Sequence, residues 1–360
     1  MEPRPTPKRK KSDVARESDE RPAPTGSTPP STLSDCLGEH LPALVQLLER
    51  DAAQVDVSSV IPESHFVALA EAGLYGSIVP TSAGGLGLEK SEITALIEEL
   101  SAACLATTFV LIQHFRLQAL MLDPATPAHL RALLPRVVRG ELKGGISLGG
   151  SLPGPAKLMA ARADGEWRLS GEAMWVSGWG LVDLLLLTAR ATNDTVHSFV
   201  VDAKERPGLT ARPLTLSAMN ASATVRLGFD DVLLSDDSYV GSHPYSPGGE
   251  GVEGLRTNGS LALGVARRCI AIGGSPTLHD ELQRCRDGLD RATVSSMPDA
   301  RAQACELALR SAHYLAVARG SSSALVGDVA ERSSREAAML LVFGSRPLIK
   351  ESLLRRMQSL

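Results

Sequence analysis

Aromatic side chains are scarce in this 360-residue chain, which has 3 Trp, 4 Tyr and 6 Phe, or 4% in all. Hydrophobic residues still make up 43%, so the core must be built mostly from Leu, Ala and Val, a choice that favours helices. Cysteine is thin as well. Cys36, Cys104, Cys269, Cys285 and Cys305 are odd in number and scattered, with no C-x-x-C pair and no nearby His at metal-ligand spacing. They read as free, buried thiols in a reducing cytoplasm rather than as a disulfide framework or a zinc site. Excess basic charge is missing too. A formal net charge of −4 gives no reason to expect nucleic acid, whose phosphates call for a basic face. The sequence reads as having no run of about 18 to 20 apolar residues to span a bilayer; the longest candidate, Leu181 to Ala189, carries Asp183 and has strand length. The histidines are dispersed over different elements, and none is assigned to a metal.

What is present falls into four stretches. Residues 1–31 hold seven prolines and the run Lys8-Arg9-Lys10-Lys11 without apolar periodicity, the composition of a disordered tail. Residues 32–140 read as an N-terminal helical domain. Leu41, Leu44, Leu47 and Leu48 form one apolar face, a second helix runs from Pro62 to Gly73, and Ser91 is the expected N-cap of a long apolar segment that reaches Leu122 with a break near Ala106. From 141 to 243 the pattern changes to short alternating runs, expected at Gly145–Leu148, Leu158–Ala163, Trp167–Ser170, Ala173–Val176, Leu184–Ala189, Ser198–Val201 and Thr224–Phe229. Two packed sheets or an open β-barrel would fit them. Residues 244–360 return to helix, with segments expected from Glu253 to Ile272, after Pro298-Asp299, and from Asp328 to Phe343, the makings of a four-helix-type bundle. The fold class is therefore α+β: helices, a central β domain, then a helical bundle.

All three tryptophans, Trp167, Trp175 and Trp179, lie in W-R-L-S-G-E-A-M-W-V-S-G-W-G-L-V-D, which reads as two short strands around a Ser-Gly turn. Trp175 and Ser177 stand two apart and so share one side of a regular strand. There a flat heterocycle would stack on the indole while the hydroxyl bonds its edge. The alternative is a buried hairpin whose tryptophans only fill a core.

Three motifs occur in order: L-A-E-A-G-L-Y-G-S-I-V-P-T-S-A-G-G-L-G-L from Leu69 to Leu88, S-G-E-A-M-W-V-S-G-W-G-L-V-D from Ser170, and L-A-L-G-V-A-R-R from Leu261 to Arg268. Together they resemble the acyl-CoA dehydrogenase family of flavoproteins over roughly Leu33 to the C-terminus. The resemblance implies FAD as cofactor, an acyl-CoA or other acyl thioester as substrate, an electron acceptor or flavin reductase as partner, and a homo-oligomer. It places Trp175 and Ser177 at the flavin, with Gly178 beside them and Ser147 or Ser151 supplying a hydroxyl that the family's T-E-P loop provides. Phe343 stands where the family's usual catalytic Glu would be, and phenylalanine takes no proton. Some members carry the base on the first bundle helix, which makes Glu253 the candidate. The reaction implied is desaturation of the thioester between its α and β carbons. W-V-S-G and the C-terminal G-S-R-P-L-I-K-E-S-L-L-R-R-M also resemble the family's flavin monooxygenase branch. A third possibility is a member that has lost its base and serves as a partner subunit.

Overall fold

The computed structural model describes Met1 and residues 37–38, 40–163, 165–247, 252–344 and 346–358, with only the backbone of Val252 and Glu253. The proposed tail and Cys36 lie outside the described residues. Residues from Thr32 to Leu360 form one compact unit.

The N-terminal helices are α1 (His40–Ser58), α2 (Glu63–Glu71), α3 (Lys90–Ala103), α4 (Leu105–Leu122) and the short α5 (Ala128–Arg131) and α6 (Leu134–Val138). In α1 the inward residues Leu41, Leu44, Leu48, Ala52 and Val55 recur at three- and four-residue spacing, with Leu47 half-buried at the edge of that face. Ser91 does not cap α3. The cap is Glu89, one end of a capping box in which its backbone N–H donates to Glu92 Oε2 at 2.8 Å. The break expected near Ala106 falls at Cys104, whose extended backbone separates α3 from α4.

Helix α4 corrects the expectation that no segment is long and apolar enough to cross a bilayer. Its 18 residues pass that test, with Arg116 the one charged residue, and 78% of the span is buried inside the protein. It is apolar all round because it runs through the core.

Among the described residues eight strands follow: β1 (Gly144–Ser147), β2 (Leu158–Ala163), β3 (Glu166–Val176), β4 (Leu184–Arg190), β5 (Thr195–Asp202), β6 (Leu209–Pro213), β7 (Val225–Leu234) and β8 (Tyr239–Pro244). They join into a single sheet in the order β6-β7-β3-β2-β4-β5-β8, with β1 parallel to β4. Among the described residues the strands make one sheet left open at β6 and β8, the open alternative rather than two packed sheets. The Ser-Gly turn expected at Ser170-Gly171 is absent. β3 is continuous there, and the register shift between Leu169 and Gly171 marks a bulge at which Gly171 has φ of +117°. A side chain at Gly171 would run into the Lys157 carbonyl. Trp167 is a core residue, stacked on Tyr239 with ring centroids 4.9 Å apart and edge-on to Phe199 at 5.4 Å.

The bundle comprises α7 (Val252–Gly273), α8 (Pro276–Arg291), α9 (Met297–Arg319), α10 (Val329–Val342) and α11 (Pro347–Met357). Helix α7 crosses α3 closely at Gly264, where an added Cβ would stand 2.6 Å from the Glu98 carbonyl and nearer still to Ser101 Oγ. Two ion pairs around the crossing tie it to the neighbouring helices, Glu98 linking α3 to α8 and Arg268 linking α7 to α10. Glu98 of α3, 3% exposed, accepts from Arg286 Nε and Nη2 at 2.9 and 2.7 Å and lies 3.7 Å from Arg256. Arg268 of α7 bonds Glu336 and Ser333 of α10 and donates to the Ala102 carbonyl at 3.2 Å. Removing one member of such a pair leaves a buried charge uncompensated, so both pairs hold helix register firmly.

Candidate functional site

Trp175 and Ser177 do not share a side as a regular strand would place them. A second register shift, between Ala173 and Val176, interrupts β3, and the strand ends at Val176. Trp175 sits at φ of +65°, a left-handed backbone that is costly for a bulky residue, and its side chain is 60% exposed. Ser177, by contrast, is buried. Its Oγ lies 2.8 Å from Thr224 Oγ1, which lies 2.8 Å from Ser222 Oγ. Three hydroxyls in a chain carry three protons, and the two links between them use two. One proton is left to be given outward. When Ser222 donates to Thr224 and Thr224 to Ser177, that proton is Ser177's.

The neighbouring turn is built to hold this chain. Gly178 N–H donates to the Ser222 carbonyl at 2.7 Å, and Trp179 N–H to Ala223 at 3.2 Å. Met219 and Ala223 both have positive φ, 60° and 47°. Between them Asn220 accepts from Leu216 N–H at 2.7 Å and donates back to its carbonyl at 2.9 Å. Three strained non-glycine residues around one set of hydroxyls is the pattern of backbone held for a ligand.

Ser147, at the end of β1, is buried and its Oγ has no hydrogen-bond partner, although buried hydroxyls are almost always bonded. It faces the same side of β1 as Gly145, whose added Cβ would lie 3.5 Å from the Ser177 carbonyl. The unpartnered Ser147 hydroxyl and the spare proton of the Ser177 chain suit the edge of a flat, acceptor-rich ring such as a flavin.

Ser151 belongs to a different place. The loop after β1 is held by Arg190, at the end of β4, whose guanidinium donates to the carbonyls of Gly150, Leu152 and Gly154 at 2.9, 2.8 and 3.0 Å. That guanidinium lies over the Tyr245 ring, 3.4 Å from its centroid, and Tyr245 Oη accepts from Gly154 N–H at 3.1 Å. Ser151 Oγ meets Thr188 Oγ1 at 3.3 Å. Both line a cavity of about 320 Å³, together with Arg116 of α4, His243, Tyr245 and Arg346. Thr188 and Ser147 lie on opposite faces of the sheet, because Ser147 pairs in register with Leu187. Trp175, Ser177, Gly178 and Ser147 are not among the cavity's lining residues.

His114 is buried and fully engaged. Its Nδ1 accepts from Gly144 N–H at 2.8 Å, so Nε2 carries the proton and donates to the Val137 carbonyl at 3.1 Å. Burial pushes its pKa down to about 4. No group of His, Cys, Asp and Glu suited to a metal occurs among the described residues. Cys104, Cys269, Cys285 and Cys305 are buried free thiols, and burial raises the pKa of Cys104, Cys269 and Cys285.

Residues 44–141 match the family model described as acyl-CoA dehydrogenase, N-terminal domain. The chain is 28% identical to the 3-sulfinopropanoyl-CoA desulfinase of Paraburkholderia xenovorans over 198 residues, 52% of this chain and 51% of that one. To the benzylmalonyl-CoA dehydrogenase of Aromatoleum aromaticum it is 26% identical over 233 residues, 61% of each. The matches therefore span about half to three-fifths of these relatives' length. Butyryl-CoA dehydrogenase from Megasphaera elsdenii superposes with a TM-score of 0.76 at 16% identity, over 93% of this chain and 99% of that one. Residues 44–141 thus match the N-terminal domain of the acyl-CoA dehydrogenase family, and the chain as a whole shares that family's fold.

The same fold is shared by the dibenzothiophene monooxygenase TdsC from Paenibacillus, solved with FMN and indole, at a TM-score of 0.73 and 15% identity over 90% of this chain and 97% of that one. Phe343, the residue that the resemblance sets at the position of a catalytic Glu, follows α10. Its ring packs edge-on against Phe109 of α4 with centroids 4.8 Å apart. Glu253 lies in the first turn of α7, and its side chain is outside the described residues.

Sequence reasoning missed Thr224, Ser222 and Arg190. Arg190 had a visible signal, an arginine closing the hydrophobic strand L-L-L-L-T-A-R, since a charge kept at the end of a buried strand needs partners. Thr224 and Ser222 had none, because their value depends on meeting Ser177, 47 positions away from Thr224.

Proposed function

We propose that this protein is an FAD-dependent oxidoreductase that desaturates an acyl thioester between its α and β carbons. A bound flavin supplies the acceptor for the hydride. Ser177 gives the ring edge the proton that its hydroxyl chain leaves unused, Ser147 offers a second donor, and Trp175 presents an exposed indole face for stacking. Gly178 ties this segment to the Ser222 turn. Ser151 belongs to the cavity on the other face of the sheet. Glu253, at the start of α7, is the proposed acceptor of the substrate proton. The reading rests chiefly on the Ser177–Thr224–Ser222 chain, a polar device assembled beside strained backbone with one donor to spare. An electron acceptor would serve as redox partner, and two or more copies of the chain associate.

The test is spectroscopic. Protein incubated with FAD should turn yellow and bleach anaerobically when an acyl-CoA is added. Phe343 favours a second reading, a flavin monooxygenase of the same fold, which dispenses with the carboxylate. Bleaching that requires a separate reductase and is reversed with oxygen consumption would select it. Protein that stays colourless and takes up no FAD would sink both and leave a partner-subunit role.

A further inference from the structure

Strand pairing sets two arginines side by side next to the hydroxyl chain. In the β6–β7 ladder Arg212 lies directly opposite Arg226, and both are exposed. Residues so placed hold their Cβ atoms about 4.5–5.5 Å apart, and like charges there repel. On its other side Arg226 meets the bulge of β3. Ala173 pairs with Leu227 and Val176 with Val225, so Met174 and Trp175 together oppose Arg226. Arg226 Nε donates to Met174 Sδ, a weak acceptor, at 3.1 Å. The Glu172 carboxylate lies 3.6 Å from Arg226 and also serves Lys157, at 3.7 Å. Glu205 has one oxygen engaged by Ala211 N–H of β6 at 2.8 Å. Lys157, Arg212 and Arg226 are thus set against Glu172 and Glu205, which leaves positive charge in excess.

The same face of β7 leads to the hydroxyl chain. Val225, Leu227 and Phe229 are buried, so Arg226 projects from the opposite face, and Thr224 is its neighbour along that face. The ladder reaches that far, since Leu214 N–H donates to the Thr224 carbonyl at 3.0 Å. Two residues along a strand span about 7 Å.

We propose that Arg226 and Arg212 hold the phosphate of a flavin nucleotide whose ring edge lies at Ser177. The proposal rests on the flavin reading of the hydroxyl chain given above. The ribityl arm of such a nucleotide covers the step along β7 from Thr224 to Arg226. A phosphate set between the two guanidiniums accepts from both and turns a repelling pair into a binding one. The site then selects its cofactor by the phosphate as well as by the ring.

Fluorescence titrations of the full-length protein with FAD, FMN and riboflavin test this. Both nucleotides should bind at least about tenfold more tightly than riboflavin, and the gap should narrow as salt is raised. Arg212→Gln and Arg226→Gln should each shrink the gap about threefold or more while leaving riboflavin affinity unchanged. Arg139→Gln, the same change of charge at the end of α6, should leave all three affinities alone. Without flavin, Arg212→Gln should melt no lower than wild type, because the substitution removes a repulsion. Three flavins bound equally, or a gap that survives both substitutions, would overturn the proposal and leave the flavin reading standing. Variants that weaken riboflavin as much as FAD would show the arginines acting on the fold or the ring, which overturns it too. A protein that binds none of the three overturns the flavin reading and this site with it.

Discussion

Acidifying the protein places a charge where His114 has no room for one. The imidazole links two segments: it accepts from Gly144 at the start of β1 and donates to Val137 at the end of α6. Protonating Nδ1 converts an acceptor into a donor facing another donor. The pKa in the folded protein is lowered to about 4, with burial the largest cause, against 6.5 in an unfolded chain. The neutral ring's contribution is therefore fully present above pH 6.5 and is lost as pH falls toward 4, where the folded state too takes up the proton. A gap of this size corresponds to about 3 kcal/mol, at 1.36 kcal/mol per pH unit. The side chain is almost wholly enclosed, so solvent screening takes little from the figure. Urea unfolding at a series of pH values from 7.5 to 4 measures it, with His114→Gln as the reference, because a glutamine amide can both accept and donate without titrating. Burial also lowers the pKa of His65, but that contribution is common to both proteins and cancels in the difference. Wild type should lose about 3 kcal/mol more than the variant across the window. Identical pH slopes for the two proteins would refute the argument.

Three further outcomes follow from the packing and the site. Gly264→Ala should destabilise the fold by about 2 kcal/mol or more, read as a shift in the urea midpoint, because its methyl group would press into the backbone of α3 as well as Ser101; a change within half a unit would show that the helices slide apart freely. Thr224→Val removes the link that orients the Ser177 hydroxyl, so FAD affinity should fall about tenfold, the loss of roughly one hydrogen bond to the ligand, and the flavin absorption band should shift; unchanged affinity and spectrum would mean Ser177 does not face the ring. Glu253→Gln should retain FAD yet bleach at least 100-fold more slowly with acyl-CoA, and full-rate bleaching would remove Glu253 as the base.

Helix and strand positions were legible where a residue's local pattern decides its state. Leu41, Leu44 and Leu48 mark α1 by spacing alone, and β2 falls where alternation predicts it. The misreadings have a common cause in longer-range context. Ser170-Gly171 looks like a turn, yet Gly171 serves a bulge because the Lys157 carbonyl lies against it. Helix α4 passes as a membrane segment by composition and is a core helix because the rest of the protein surrounds it. Strands β6 and β8 lack an alternating run and exist by pairing with β7 and β5. Helix α8 went unremarked because P-T-L-H-D-E-L-Q-R-C-R-D-G-L-D-R is mostly polar; Leu278, Leu282, Cys285 and Leu289 still give it a narrow buried stripe.

The candidate site shows the same division more sharply. The motif around Trp175 was recognisable, but the rule that places residues two apart on one face failed there, since the bulge turns Trp175 out to solvent and leaves Ser177 inside. That failure is informative in itself. A regular strand would have cost nothing, whereas the chain here keeps a tryptophan in a left-handed conformation, at a cost of about 1–3 kcal/mol, and sets two more such residues in the turn that carries Thr224. Trp167 shows how a tryptophan fills the core: its φ is ordinary and its ring packs against His197, Phe199 and Tyr239, although its indole N–H goes without a partner. Packing therefore accounts for Trp167 and leaves Trp175 to be explained by something that binds outside the chain. The flavin reading meets that requirement, and Thr224→Val is its most direct test because the substitution keeps the shape of the turn while removing the hydroxyl that aims Ser177.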